Sequence, residues 1–318
     1  MGDYTGIGDG GLNYIGETGI TISGFTTTGE TTAESPDFAR KDHLSRFGIE
    51  IRPAEGHEHR GVFNTGFQWI ANSTTTPLIN FDDQNWVMLT GLSMRNKYTV
   101  VEFNNNCWYV WVQQCLLSNS GGTDYIIYSS SERAHIWSCL LSGDPDNKNT
   151  YGVYVFNNNQ THKFSHLVIT DCTYGVMPPD EDLNAFEYYA CANVVTYNCD
   201  YFYDPNSQTY WDWDYASDNA SSTYTVQAPP GGIGNYQSNV VAADFRKAEF
   251  CTPNETFLDR DFHIHPDSPL AENWSSGLNV LDYDIDDDKW LSSQSVSYTH
   301  LTLPTTCTPC RSRWSPDH

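Results

Sequence analysis

The chain has 318 residues, 39% hydrophobic and 14% aromatic, which is enough apolar surface for a large core and too much for a disordered segment. Lys plus Arg total 16 against 40 Asp plus Glu, a net charge of −24. That balance excludes a reader of nucleic-acid phosphates, which needs clustered cations, and disfavours an anionic membrane surface. No apolar run approaches the ~20 residues of a membrane-spanning helix, so no membrane insertion is expected, and Met1–Gly11 lacks the basic start and apolar stretch of a secretion signal.

In chain order, Ile20–Thr27 (ITISGFTT) reads as a strand and Thr28–Arg46, rich in Thr, Ser and charge, as an excursion. Gly48–Gly56 and Gly66–Ser73 read as strands. Between them His57 and His59 stand two apart, a spacing that on a strand puts both on one face and would suit a metal with a third ligand; a plain surface turn fits as well. From Trp86 onward five rows repeat one pattern: Trp86–Met94, Tyr109–Leu117, Ala134–Ser142, Leu167–Gly175 and Val194–Phe202. Setting Gly91, Cys115, Cys139, Cys172 and Cys199 in one column gives steps of 24, 24, 33 and 27 residues, with Gly24 in the same column. A period in the twenties carried by short β-rich rows is the mark of a solenoid.

A second β-like segment precedes each row: Pro77–Asn85, Thr99–Cys107, Asp124–Glu132 and Tyr151–Gln160. Each coil is therefore expected to hold two strands separated by a polar corner (FDDQN, FNNN, YSSSE, FNNN), where Asn and Ser suit tight turns. Stacked coils would lie ~4.8 Å apart, close enough for amide ladders. The fold class expected is all-β, a single-stranded right-handed parallel β-helix over 1–290, with a capping segment over about 235–290.

After Tyr201 the repeat decays. Tyr210, Trp211, Asp212, Trp213 and Asp214 alternate aromatic and acidic residues, so a strand would set rings on one face and carboxylates on the other. Rings stacked on sugar C–H groups beside carboxylates that bond hydroxyls make a carbohydrate platform; a cover for the end of the core is the plainer reading. Asp282, Asp284, Asp286, Asp287 and Asp288 resemble the start of a calcium loop but lack its turn glycine and distal Glu, so no cofactor is implied and calcium is the one ion the acids suit. Val296–Thr305 (VSYTHLTLPT) resembles a translated sequencing adapter, and 296–318, with the CxxC of Cys307 and Cys310, is expected to stand outside the fold. The remaining cysteines (107, 115, 139, 172, 191, 199 and 251) read as reduced, buried packing residues, ahead of a disulfide or a metal.

The repeat, with Asp261-Phe262-His263-Ile264, Ser268-Pro269, Gly277 and Asp284-Ile285-Asp286 near its end, resembles the right-handed parallel β-helix of pectate-lyase-like proteins and phage tailspikes. The first coils, including His59-Arg60-Gly61, resemble environmental members of that class. The resemblance covers about Gly11–Trp290. It implies a surface-exposed protein, extracellular or on a virion, that contacts a polysaccharide or cell-surface glycan, with homotrimers common among its spikes. A polysaccharide lyase or glycoside hydrolase is the rival, and a purely structural spike the third reading. For an enzyme the candidate acids are Asp82, Asp83, Glu102 and Asp124, since glycoside cleavage needs two carboxylates ~5–9.5 Å apart and neighbouring coils supply that spacing. Asp171 and Asp180–Asp182 lie on the same kind of coil. A lyase would need a basic residue, and Arg95, Lys97, Arg133, Lys148 and Lys163 are the few on offer. A surface of −24 would repel an anionic polymer unless calcium intervened.

Overall fold

The computed structural model describes residues 12–14, 19–24, 31–32, 37–39, 48–53, 58–59, 61–63, 65–82, 84, 86–104, 107–122, 124–131, 133–156, 162–177, 189–203, 213–217, 220–221, 237–238, 240–248, 260–265 and 268. Almost every described element is a strand. Strand β1 (Leu12–Tyr14) runs antiparallel to β2 (Gly19–Gly24), which opens the first turn and is followed by β3 (Thr31–Thr32) and β4 (Asp37–Ala39). The second turn holds β5 (Gly48–Pro53), β6 (Gln68–Ile70) and β7 (Ile79–Asp82). The third holds β8 (Trp86–Thr90), β9 (Ser93–Asn96) and β10 (Val101–Asn104), and the fourth β11 (Tyr109–Gln113), β12 (Leu116–Asn119) and β13 (Asp124–Ser129).

In the fifth, sixth and seventh turns the first two strands fuse into one bent strand: β14 (Arg133–Ser142) before β15 (Thr150–Val155), β16 (His162–Thr170) before β17 (Tyr174–Met177), and β18 (Tyr189–Tyr197) before β19 (Tyr201–Tyr203). An eighth turn begins with β20 (Trp213–Ser217) and β21 (Ala220–Ser221), and β22 (Gln237–Ser238) pairs with β21. Every pairing between turns is parallel, and the third side of the prism is a 7-stranded sheet ordered β19-β17-β15-β13-β10-β7-β4. The protein is a parallel β-solenoid. Among the described residues no helix is long and apolar enough to cross a membrane.

Two expectations need correction. A coil has three faces, not two, because each cysteine row bends midway into two strands. Within Thr28–Arg46, read as an excursion, β3 pairs with β6 and β4 with β7, so these two strands belong to the first turn.

The interior follows from alternation. On the first face Ile51, Leu89, Val112, Ile136, Phe164 and Cys191 lie side by side through successive registers, and all are buried. On the third, Phe81 stacks on Phe103 with centroids 5.3 Å apart. Like residues stacked along an axis bury continuous apolar stripes, and this burial is what holds a solenoid together.

The corners need left-handed backbone. At the first corner Gly91 (φ 64°), Gln114 (51°), Ser138 (50°), His166 (54°) and Asn193 (55°) are in register. At the second, Asp171 (58°) and Asn198 (54°) continue the column of Gly143, where a Cβ would stand 2.1 Å from the Asp171 carbonyl oxygen, so only glycine fits. The single cysteine column is therefore two. Cys115 lies beside Cys139, whose next neighbour is Leu167; Cys172 lies beside Cys199 at the other corner. Gly24 does lead through Pro53 to Gly91, but Gly91 aligns with Gln114 and not with Cys115, so the two glycines stand one position ahead of the cysteines with which they were aligned.

The segment after the eighth turn folds back along the side. A 3-10 turn (Ala242–Asp244), β23 (Phe245–Lys247) and the antiparallel β24 (Asp261–Ile264) bring Val240, Phe245, Ala248, Phe262 and Ile264 against the outward residues Leu116, Leu140, Val168 and Val195 of the second face. Asp244 ties the segment to itself, accepting from Ser268 Oγ at 2.6 Å and from the Val241 N–H at 2.8 Å.

Candidate functional site

Tyrosines cover the outer side of the third sheet. In one column Tyr125, Tyr151, Tyr174 and Tyr201 lie on consecutive turns. Their centroids are 5.3, 5.2 and 5.1 Å apart, and the last two pairs are nearly parallel at 10° and 19°. A second column runs Asn80, Glu102, Tyr128, Tyr154. Tyr154 stacks on Tyr128 at 5.6 Å and on Tyr125 at 4.8 Å, which joins the columns into one surface. All six rings are half-buried. The cause is the sheet itself: strands ~4.8 Å apart force like side chains on like positions into stacking distance. Burial and the neighbouring rings and Asp124 push the Tyr125 phenol up to about 12, so that ring stays un-ionised at neutral pH.

Two of the four candidate acids stand at this surface. Glu102 lies beside Tyr128 in the second column, and Asp124 directly precedes Tyr125 with its backbone at φ 61°. Both act on one phenol: burial, then Asp124, then Glu102 raise Tyr98 above its ordinary value. Burial also raises the Asp124 carboxyl. Asp82 ends β7, the strand next to the edge strand β4 in the same sheet, and Asp83 lies outside the described residues. No Lys or Arg stands in any strand of the third sheet.

No family model, no curated protein and no solved structure matches the chain. What it shares with parallel β-helix proteins is the architecture just described, and the functional reading rests on surfaces.

The other predicted residues fall elsewhere. Tyr210, Trp211 and Asp212 lie outside the described residues, and Trp213 and Asp214 open β20, of which the backbone pairing with β18 is described. Asp180–Asp182 and Asp282–Asp288 also lie outside, as do Cys307, Cys310 and the rest of 296–318. Asp171 is structural: it is fully buried, accepts from Arg260 at 2.6 Å and from Asn198 Nδ2 at 2.6 Å. His59 is buried with both ring nitrogens engaged; Nδ1 accepts from the Gly61 N–H at 3.1 Å, which leaves Nε2–H to donate to the Gln114 carbonyl at 2.7 Å. Of the lysines offered as a lyase base, Lys148 bonds Asn198 at 2.8 Å and faces Asp200 at 3.6 Å.

A second aromatic surface, unforeseen as a unit, covers the outer side of the first sheet. Tyr109, Trp111 and Gln113 on β11 lie beside Arg133, His135 and Trp137 on β14, and His135 lies beside Lys163 on β16. Trp111 donates its indole N–H to His135 Nδ1 at 3.0 Å, Trp137 donates to Gln113 Oε1 at 2.9 Å, and Gln113 donates to Thr90 Oγ1 at 3.1 Å. Arg133 bonds the Tyr109 hydroxyl at 2.5 Å and lies 4.8 Å over its ring. The sequence held signals for both surfaces. Tyr-Gly-Val recurs at Tyr151 and Tyr174, and YVWVQ and RAHIW alternate apolar and outward residues, but neither carries a clustered motif that marks a site.

Proposed function

We propose that the protein is a glycan-binding solenoid displayed outside the cell or on a virion, and that the tyrosine surface of the third sheet holds a neutral, extended polysaccharide. The observation that carries this reading is the in-line stack of Tyr125, Tyr151, Tyr174 and Tyr201 along the axis. Rings spaced by one strand repeat stack on one another and set one phenol edge and hydroxyl outward per turn, close to the advance of one sugar in an extended β-linked chain, so that hydroxyls meet sugar hydroxyls and ring edges meet sugar C–H groups. Glu102 and Asp124 supply acceptors for hydroxyls, and the absence of cations from these strands sets the surface against anionic chains.

Affinity electrophoresis against xylan, mixed-linkage glucan and dextran tests the reading. Removing Tyr151 and Tyr174 together takes away two aromatic contacts of ~0.5–1.5 kcal/mol each, so binding should weaken on the order of tenfold or more with the fold intact. Unchanged retardation in Tyr151→Ala/Tyr174→Ala, or none in the parent protein, removes the reading.

An enzyme is the second reading, and one observation favours it: Asp124, raised by burial, shares a neighbour with Glu102, as an acid and its partner would. New reducing ends released by the parent and lost in Asp124→Asn support hydrolysis; retained binding with no product supports binding alone. A trimeric spike would need a bare apolar flank. The apolar flank of the second face is covered by the chain's own Phe245, Phe262 and Ile264, so this surface offers no such contact.

A further inference from the structure

At the second corner an amine, a side-chain amide and a carboxylate from three successive turns stand in a row. Lys148 lies between β14 and β15 in the fifth turn, and Thr173 Oγ1 of the sixth turn donates to its carbonyl oxygen. The Lys148 side chain donates to Asn198 Oδ1 of the seventh turn at 2.8 Å. Asn198 Nδ2 donates in turn to Asp171 Oδ1 of the sixth turn at 2.6 Å. Asp171 is fully buried, and its other oxygen accepts from Arg260 at 2.6 Å. Asn198 is half-buried and set in the left-handed backbone of the corner at φ 54°. Lys148 is half-buried too, with Asp200 3.6 Å from its nitrogen. The amide is therefore held by its nitrogen against a fixed carboxylate, while its carbonyl faces a primary amine.

We propose that this corner is a covalent modification site, where Lys148 and Asn198 join in an isopeptide bond that ties the fifth turn to the seventh across the sixth. Lys148 sheds one proton to solvent, and the neutral nitrogen attacks Cγ of Asn198. The Nζ–Cγ bond forms and the Cγ–Nδ2 bond breaks. In the tetrahedral intermediate both nitrogens sit on Cγ. Asp171 Oδ1, already bonded to Nδ2, takes the proton from Nζ and passes it to Nδ2, which leaves as ammonia. An amine and a primary amide become a secondary amide and ammonia, with no change of oxidation state. Attack needs the nitrogen roughly 3–3.5 Å from the carbon, and groups held so reach effective concentrations of about 10⁵–10⁸ M. An amine 2.8 Å from the amide oxygen reaches Cγ by torsions of its own flexible stem. The bond would span 50 residues of chain, and closing that loop restricts the unfolded state. The site stands whether or not the tyrosine surface binds a glycan.

Intact-mass spectrometry of the full chain tests the bond, on the fresh protein and after a week at about pH 9, which raises the share of neutral amine. A loss of about 17 Da, the mass of ammonia, is expected, with a branched tryptic peptide that joins Lys148 to Asn198. Lys148→Arg keeps the positive charge and has no amine to attack, so its mass should stay whole. Arg260→Met/Asp171→Asn removes the proton carrier without stranding a buried charge, and the bonded share at the same time point should fall about tenfold or more. Circular dichroism confirms the fold of each variant. Cyclisation of Asn198 onto its own backbone would lose the same mass, but it would persist in Lys148→Arg and yield no branched peptide. No loss at either stage, or a loss that persists in Lys148→Arg, overturns the assignment. An unchanged bonded share in the double variant overturns the part given to Asp171.

Discussion

Each of four cysteines follows a residue with left-handed backbone: Gln114, Ser138, Asp171 and Asn198 precede Cys115, Cys139, Cys172 and Cys199. Each thiol then bonds the carbonyl two residues back, at 3.1, 3.1, 3.2 and 3.6 Å. The pairing closes a tight bend and fills the corner with a small, fully buried, adaptable side chain. Burial raises the Cys139 and Cys172 thiols well above their ordinary value, so they pack and do not react. His166 occupies the same left-handed position at the first corner and bonds Asn193 at 2.9 Å. Burial brings its pKa down to about 4, below the ordinary 6.5. The fold therefore favours the neutral ring: its contribution is whole above pH ~6.5, and it is lost as the unfolded chain takes up a proton that the folded chain refuses, down to pH ~4. A shift of that size is on the order of 3 kcal/mol. His166→Asn keeps a residue that tolerates positive φ and removes the titration. Melting temperature followed from pH 7 to pH 4.5 should fall less in the variant than in the parent. Parallel curves would mean that the protons are taken up elsewhere, for which His135, also held near 4, is a described candidate.

At the scale of elements, a buried ion pair ties the side segment to the solenoid. Arg260 reaches Asp171 at 2.6 Å with both side chains buried, and it lies 4.8 Å over the Phe262 ring. Breaking one half leaves a buried charge without its counter-charge, about 3–5 kcal/mol, whereas replacing both by neutral groups costs far less. Arg260→Met alone should be strongly destabilising in urea, and adding Asp171→Asn should recover most of the loss, because Asn keeps the bend and the bond to Asn198. Additive losses in the double variant would show that the pair is not coupled.

The same elements show where the sequence was readable. The period and the strands β5 and β6 were plain, because β5 alternates buried and outward residues and β6 sits in a short apolar run, and both signals are local. The split of the cysteine column was not: both corners ask for the same local pair, a left-handed residue then a small thiol, so identical words stand at two places in the coil. The 33-residue step was the trace of that switch. The short β3 and β4 gave no periodicity, since two or three residues cannot show one. For the site, Glu102 and Asp124 were named among many acids, but the tyrosine surface they border depends on register between turns, which spacing alone set only approximately.

The whole molecule is a stack in which each turn touches its neighbours, and such a stack tends to fray or melt in parts. The side segment opposes this. Phe245, Phe262 and Ile264 lie across Leu116, Leu140, Val168 and Val195, which belong to four successive turns, so one segment spans the fourth to the seventh. Phe262 is its fully buried centre, 5.5 Å from Phe245 edge to face. Phe262→Ala should cost about 3–5 kcal/mol through lost transfer and the cavity left behind. It should also lower the denaturant slope, because turns no longer clamped together unfold over separate ranges. Urea unfolding followed by tryptophan fluorescence and by far-ultraviolet dichroism checks both: the two signals coincide in the parent and separate in the variant. A lower midpoint with the slope kept and the signals coincident would show that the turns already melt as one body through their parallel ladders, with the segment adding stability to a cooperativity it does not create.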